Sequence, residues 1–402
     1  MMHKMLGVTS VWTLMVAGAL AQGQPVPVGD ANGRGQVPAF EEQTRAPQPE
    51  SLLNTETTVV AQDLPSLWGM EFLPDGRMLV TAKAGAMHIV SPDGTVSAPI
   101  AGVPEVDARG QGGLLDVALA HDFESSSRIF FSFAEPRSDG NGTSVASATL
   151  VADDKDGAVL EDVRIIFRQT PSYDGDKHYG SRIVPTADGA LYVTVGERSD
   201  RPMRSQAQEL ASGLGKVFRI DADGQALPDN PLTDVEGALP EIWSFGHRNA
   251  QSAVLDGEGR LWVVEHGARG GDELNLPEAG LNYGWPDVAY GVEYSGQAIG
   301  QGVTADAETQ QPVYYWDPVI APSGMAYYEG DEFPELDGAF LVGGLVGQAV
   351  VVLHMENDRV KHEERIPVGA RVRDVKVGPD GAIYAVTEGG GGSSIVRISQ
   401  GQ

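Results

Sequence analysis

From Thr57 onward the chain alternates short apolar runs with turns rich in Gly, Asp and Pro, and no stretch carries the periodicity of a long amphipathic helix. The pattern predicts an all-β protein. A weak repeat runs through it: Pro74-Asp-Gly-Arg-Met-Leu-Val80, Ala187-Asp-Gly-Ala-Leu-Tyr-Val193, Gly257-Glu-Gly-Arg-Leu-Trp-Val263, Leu336-Asp-Gly-Ala-Phe-Leu-Val342 and Pro379-Asp-Gly-Ala-Ile-Tyr-Ala385. Each copy joins a tight turn, where Gly supplies a positive φ, to an alternating strand. Ser127-Arg-Ile-Phe-Phe-Ser132 reads as a degenerate further copy. Radial repetition of this kind predicts a β-propeller of about six blades with long insertions between strands. The irregular spacing leaves a β-sandwich pair as the alternative. A ring must also close. Thr57-Thr-Val-Val-Ala61 is placed to add a strand to the blade holding Ala382 to Val386 and Ser394 to Ile398, which removes two free edges at once.

The chain ahead of that strand is of a different kind. Lys4, an apolar run from Leu6 to Leu20 and Ala19-Leu-Ala21 predict a signal peptide over residues 1–21, and hence a periplasmic or secreted protein. The apolar run is too short for a spanning helix, so no membrane anchor is expected after processing. Residues 22–51, rich in Gly, Pro and Gln, are expected to form a flexible leader, with a single propeller domain over 52–402.

Composition narrows the partners. With no cysteine among 402 residues, disulfides, thiolate metal sites and covalently attached haem are excluded. A net charge of −28 argues against nucleic acid and anionic membranes.

Chemistry concentrates at strand ends. His178, in Asp174-Gly-Asp-Lys-His-Tyr-Gly-Ser-Arg182, precedes a repeat strand that ends in Gly196-Glu197-Arg198. A carboxylate there is placed to orient an imidazole acting as general base, although a lone loop histidine is more often structural. Gln111 sits among glycines that permit close backbone approach to a ligand, or simply make a turn. Arg248-Asn249 pairs a permanent cation with a carboxamide, suited to polarising a carbonyl or to tying loops together. Gly267-Ala-Arg-Gly-Gly-Asp-Glu273, with Asn275 and Asn282-Tyr283 behind it, offers hard oxygen donors that fit Ca²⁺ better than zinc or copper. Arg371 and Arg373 alternate on a strand, so both face one side while Asp374 faces the other. That pair suits a polycarboxylate ligand, or surface acids.

Taken in order, GQGGLLDVALAHDF from Gly110, HYGSRIVPTADGALYVTVGER from His178, Gly246-His-Arg-Asn249, Glu265-His-Gly-Ala-Arg-Gly-Gly-Asp-Glu273, Asn282-Tyr-Gly-Trp-Pro286, Ala321-Pro-Ser-Gly324 and Arg371-Val-Arg-Asp374 resemble the soluble aldose sugar dehydrogenases. These are the pyrroloquinoline quinone (PQQ) dependent branch of the glucose/sorbosone dehydrogenase family. The resemblance implies a six-bladed propeller that oxidises aldoses at the anomeric carbon to lactones. It implies His178 as base, with Arg248 and Glu197 completing the catalytic set, and Gln111, Arg248, Asn249, Tyr294, Arg371 and Arg373 around the cofactor. Gly267 and Ala268 match carbonyl ligands of a Ca²⁺ that polarises PQQ, and Glu273 and Tyr283 match a further calcium site. The implied electron acceptor is a cytochrome or a quinone, and the implied assembly a monomer or homodimer. Two positions depart from the family pattern: Glu197 stands where many relatives have Asp, and Val346 stands where many have a cofactor-binding Lys. A calcium-dependent propeller lactonase and a non-enzymatic binding propeller are the alternative readings.

Overall fold

The computed structural model describes residues 23–152 and 157–401; the expected signal peptide lies outside them. Among the described residues, six antiparallel sheets form the blades of a ring. They span 67–90, with three strands, then 114–168, 183–245, 250–316, 322–367 and 371–400, each with four. The fourth strand of the last blade comes from the start of the chain. Thr55–Leu64 pairs antiparallel with Gly392–Gln400 in the register Thr57 to Ile398 and Val59 to Val396, so the ring is closed as the apolar run before the first blade predicts.

The repeat read from the sequence has one structural meaning. Met78–Ala82, Arg128–Arg137, Ala190–Val195, Leu261–Glu265, Phe340–Gly344 and Ile383–Gly389 are each the second strand of their blade. These strands are apolar on both faces because each blade is packed between two others. In Arg128–Arg137 the side chains of Ile129, Phe131 and Phe133 enter the core shared with the first blade, while Phe130 enters the core shared with the third. Phe340 and Val342 likewise face the fourth blade and Leu341 faces the sixth. Burying each such side chain contributes about 1.5–3 kcal/mol, and the period-2 alternation distributes that gain to both neighbours.

The first strand of each blade lines the axis, and all six run the same way along it. Trp68, Leu115, Ser181, Gln251, Ala321 and Arg371, at or just before their starts, border a cavity of about 310 Å³ at one end of the ring. Glu71, Leu119, Pro185, Val254, Tyr327 and Lys376, near their ends, border a second of about 410 Å³ at the other. Among the described residues helix is confined to short turns such as Arg201–Arg204, and no described helix is long and apolar enough to cross a membrane.

The leader differs from expectation. Rather than standing free of the ring, the chain from Asn32 to Pro47 lies across the fourth and fifth blades, with Gln43 and Ala46 buried and Gln43 donating to Pro312 O at 2.9 Å. Its composition is polar because its partners are backbone and side-chain polar groups of distant loops.

Candidate functional site at one mouth of the ring

The 310 Å³ cavity collects most of the residues singled out from the sequence: Gln111, His178, Arg248, Asn249, Tyr294, Arg371 and Arg373 all line it. Glu197 lies directly behind His178. The metal-ligand candidates Glu273 and Tyr283 do not reach this cavity; with Gly267 they border a small adjoining void.

His178 is held by a layered construction. Its backbone sits in the left-handed region at φ 49°, a strained conformation for a residue with a Cβ. Gln111 Oε1 accepts its N–H at 2.8 Å, and the N–H of Arg198 donates to its carbonyl at 3.3 Å. Arg198 in turn lies 4.1 Å from the Tyr179 ring and donates to Lys177 O and Asn141 Oδ1, so a fully buried guanidinium pins the whole loop. The backbone passes close enough here to exclude a side chain. A Cβ on Gly196 would lie 2.3 Å from His178 O and 2.7 Å from Asn249 Oδ1, which is why Gly precedes Glu197.

The imidazole is 6% exposed, and its Nδ1 lies 3.3 Å from Glu197 Oε1. The two atoms attract electrostatically but are misaligned for a hydrogen bond, and neither has another partner among the described residues. Burial and the Arg248 charge lower the His178 pKa from its usual value, against the opposing pull of Glu197. Burial pushes the Glu197 carboxyl up, but His178, Arg248 and the Ser199 N–H outweigh it and hold the group ionised. A neutral imidazole beside a carboxylate results.

Arg248 is 2% exposed and stacks 5.0 Å from the Trp285 ring. Its Nη1 donates to the carbonyls of His266 and Gly267, while Nε and Nη2 are buried without a partner among the described residues. Asn249 Oδ1 accepts the Gly180 N–H at 3.1 Å and so fixes the chain beside His178. His247 points away into the blade: Nδ1 meets Glu265 at 2.9 Å, Nε2 meets Ser244 at 2.9 Å, and the ring stacks on Tyr283. It is a satisfied core histidine that aims the next residue.

Across the cavity the arginines stand on one side of the last blade's inner strand, as alternation predicts. Arg371 Nε and Arg373 Nε share Glu388 at 3.2 and 2.7 Å, while Asp374 turns toward the axis. Lys83, at the end of the first blade's repeat strand, also lines this cavity and donates to Gly110 O at 2.9 Å. Burial and Arg373 lower its pKa, and Glu388 opposes them. Sequence reasoning missed this residue; its position within two residues after a repeat strand, where Glu197 and His266 also fall, was the available signal. Val346 is 58% exposed and does not line the cavity.

The oxygen donors are less uniformly placed. Burial and the Glu265 charge raise the Glu273 pKa well above the carboxylate range, and its hydrogen-bond donor is Asn275 Nδ2 at 3.2 Å. Asn275 Oδ1 is buried without a partner. Gly267 O already accepts from Arg248, and the Tyr283 hydroxyl donates to Leu276 O and accepts from the Glu278 N–H. No cluster of three or more His, Cys, Asp or Glu able to hold a metal occurs among the described residues.

The glucose/sorbosone dehydrogenase family model matches residues 64–397. Among curated proteins, the chain is 40% identical to aldose sugar dehydrogenase YliI of Escherichia coli over 354 residues, covering 86% of this chain and 93% of that one. Among solved structures, it superposes on the apo form of the soluble E. coli aldose sugar dehydrogenase with a TM-score of 0.81 at 38% identity, over 86% of this chain and 100% of that one. For the PQQ-bound aldose sugar dehydrogenase of Streptomyces coelicolor the TM-score is 0.70 at 28% identity, over 87% and 99%. A match of that length, on a ring whose strand ends deliver these residues to one mouth, makes the chain a member of the glucose/sorbosone dehydrogenase family.

Proposed function

We propose that this protein is an exported, PQQ- and calcium-dependent dehydrogenase that oxidises aldose sugars at the anomeric carbon to lactones. The observation that carries the reading is a neutral buried imidazole facing the same cavity as an arginine with two guanidinium nitrogens unpaired among the described residues. The residues fit a polycarboxylate quinone. Lys83, Arg371 and Arg373 set three cations against the single carboxylate of Glu388, in a chain whose net charge is −28. Arg248 Nε and Nη2 are free to meet a carbonyl oxygen.

When bound, PQQ would supply the two-electron acceptor for the hydride leaving the anomeric carbon. His178 takes the proton of the anomeric hydroxyl: Nδ1 is turned to Glu197, which leaves Nε2 as the basic nitrogen. Glu197 stabilises the imidazolium that forms. Arg248 holds negative charge that develops beside it, at a geometry fixed by its bonds to His266 O and Gly267 O. The axis behind the mouth is filled by Trp68 stacked 4.8 Å from Arg182, which keeps the reaction at one end.

A hard divalent ion fits best at Glu273, whose buried carboxylate lacks a cation partner and lies beside the unpaired Asn275 Oδ1. The Tyr283 phenol is spent on backbone groups, so Glu273 is the residue to test for calcium. Dye reduction by the purified protein with glucose, other aldoses and maltose, before and after adding PQQ and Ca²⁺, tests the reading. Turnover that appears only with both supports it; ester or lactone hydrolysis without quinone would replace it.

A further inference from the structure

The leader that crosses the fourth blade ends on the loops that border the mouth, and its contacts there are directed. Gln36 uses both ends of its carboxamide on one residue: Nε2 donates to Gly291 O at 2.9 Å, and Oε1 accepts the Gly291 N–H at 2.8 Å. That is the bond pattern of a strand partner, supplied by a side chain. Four residues earlier, Asn32 and Gly33 cap the carboxylate of Asp317 with three N–H donors between 2.8 and 2.9 Å. Asn32 Oδ1 accepts from Arg269 Nε at 2.8 Å.

Those contacts fasten two loops at once. Arg269 and Val292 exchange backbone hydrogen bonds of 2.9 Å in both directions, so the turn after the candidate carbonyl ligands Gly267 and Ala268 is zipped to the loop carrying Tyr294. Packing allows no slack in the pair: a Cβ on Gly270 would lie 2.5 Å from Asp317 Oδ1, and one on Gly291 would lie 2.3 Å from Gly270 O. On its far side the same loop is anchored by Glu293 to Arg204 at 2.6 Å, and Arg204 lies 5.5 Å from the Trp285 ring that also carries Arg248. Tyr294 itself is 69% exposed and lines the cavity, so its own packing does not fix it. Its position is set by the loop, which Gln36 fastens together with the Arg269–Val292 and Glu293–Arg204 contacts.

We propose that Asn32 and Gln36 are positioning residues for the mouth: the leader acts as a clamp that fixes the Gly291–Tyr294 loop so that Tyr294 faces the ligand in the cavity. The family-model match begins after this segment, at Leu64. The ligand named in its test rests on the PQQ reading, but the clamp itself does not.

The test uses the full mature chain carrying Gln36→Ala, Gln36→Glu, Tyr294→Ala or Gln36→Ala with Tyr294→Ala. Hydrogen exchange should speed up in the peptide spanning 288–297 of Gln36→Ala and stay unchanged in the fifth-blade strands, and Gln36→Glu, which still accepts from Gly291, should restore part of the protection. Titration with PQQ should show binding weakened ~10-fold in Gln36→Ala, and no further weakening when it is added to Tyr294→Ala. Unchanged exchange in the loop overturns the clamp whether or not the protein binds PQQ. A lowered melting temperature with wild-type exchange in the loop and wild-type PQQ affinity also overturns it, since it leaves the leader a general staple. Absence of PQQ binding by the unmutated protein would overturn the cofactor reading, while the exchange comparison still decides the clamp.

Discussion

Two groups of buried charges lie along one axis and are finished in opposite ways. Toward the far cavity, Arg182 donates to Asp116 at 2.8 Å and to Asp374 at 3.3 Å, Asp116 also accepts the Ile183 N–H, and Asp374 accepts that of Met70. Lys376 and Glu71 add a pair at 2.7 Å. At the mouth, Arg248 keeps two buried donors unpaired and His178 faces Glu197 without a formed hydrogen bond. Leaving a buried polar group unpaired costs ~1–3 kcal/mol, so the two ends cannot both be answers to the same stability problem. The satisfied cluster ties the first, second, third and sixth blades together at their centre. The unsatisfied one belongs to the mouth where the ligand is proposed to bind.

Matched substitutions sharpen that contrast. Arg182→Met removes the guanidinium partner of two buried carboxylates and should destabilise the fold by ~3–5 kcal/mol, read as a shift of the denaturation midpoint. Arg248→Met should instead lower turnover ~10²–10³-fold with a much smaller change in that midpoint. Equal loss of stability in both would break the distinction.

Glu197→Gln should cost ~10–100-fold in kcat and move the acid limb of the pH profile. Protonated His178 cannot act as base, so turnover falls as pH drops through its pKa; that pKa is already lowered by burial and Arg248. The limb in the unmutated protein should therefore lie below about pH 6.5. Removing Glu197 removes an influence that raises the pKa, so the limb should move further down; a shift upward would assign the limb to another group. The same sign governs stability: the neutral imidazole is favoured when folded, so its contribution is retained above the unfolded value and lost as pH falls below it. The smallest effect expected is that of Lys83→Ala, ~10-fold weaker PQQ binding with kcat at saturating cofactor unchanged.

Legibility followed distance along the chain. The repeat strands could be read because a Gly turn and a period-2 run are local signals, and the closing strand because an unpaired apolar run before the first blade has one open edge to meet. His178 and Glu197 were linked by flanking one hairpin, Ile183–Pro185 with Ala190–Val195, whose antiparallel strands bring its two ends to the same mouth. Lys83 was missed because its electrostatic neighbours, Arg373 and Glu388, come from the last blade while it belongs to the first. The leader was misjudged for a related reason: Asn32, Gln36 and Gln43 look unstructured until their partners Asp317, Gly291 and Pro312 are folded beside them. Tyr283 enters as a metal ligand by resemblance alone; its hydroxyl bonds to backbone and its ring stacks on His247.

The central claim is that the mouth is a redox site with His178 as its base, and the most direct measurement is His178→Gln assayed two ways on one preparation, by dye reduction with an aldose and by absorbance titration with PQQ in the presence of Ca²⁺. The account predicts turnover reduced ~10²–10⁴-fold with PQQ affinity near that of the unmutated protein. Turnover equal to the unmutated protein's would contradict it.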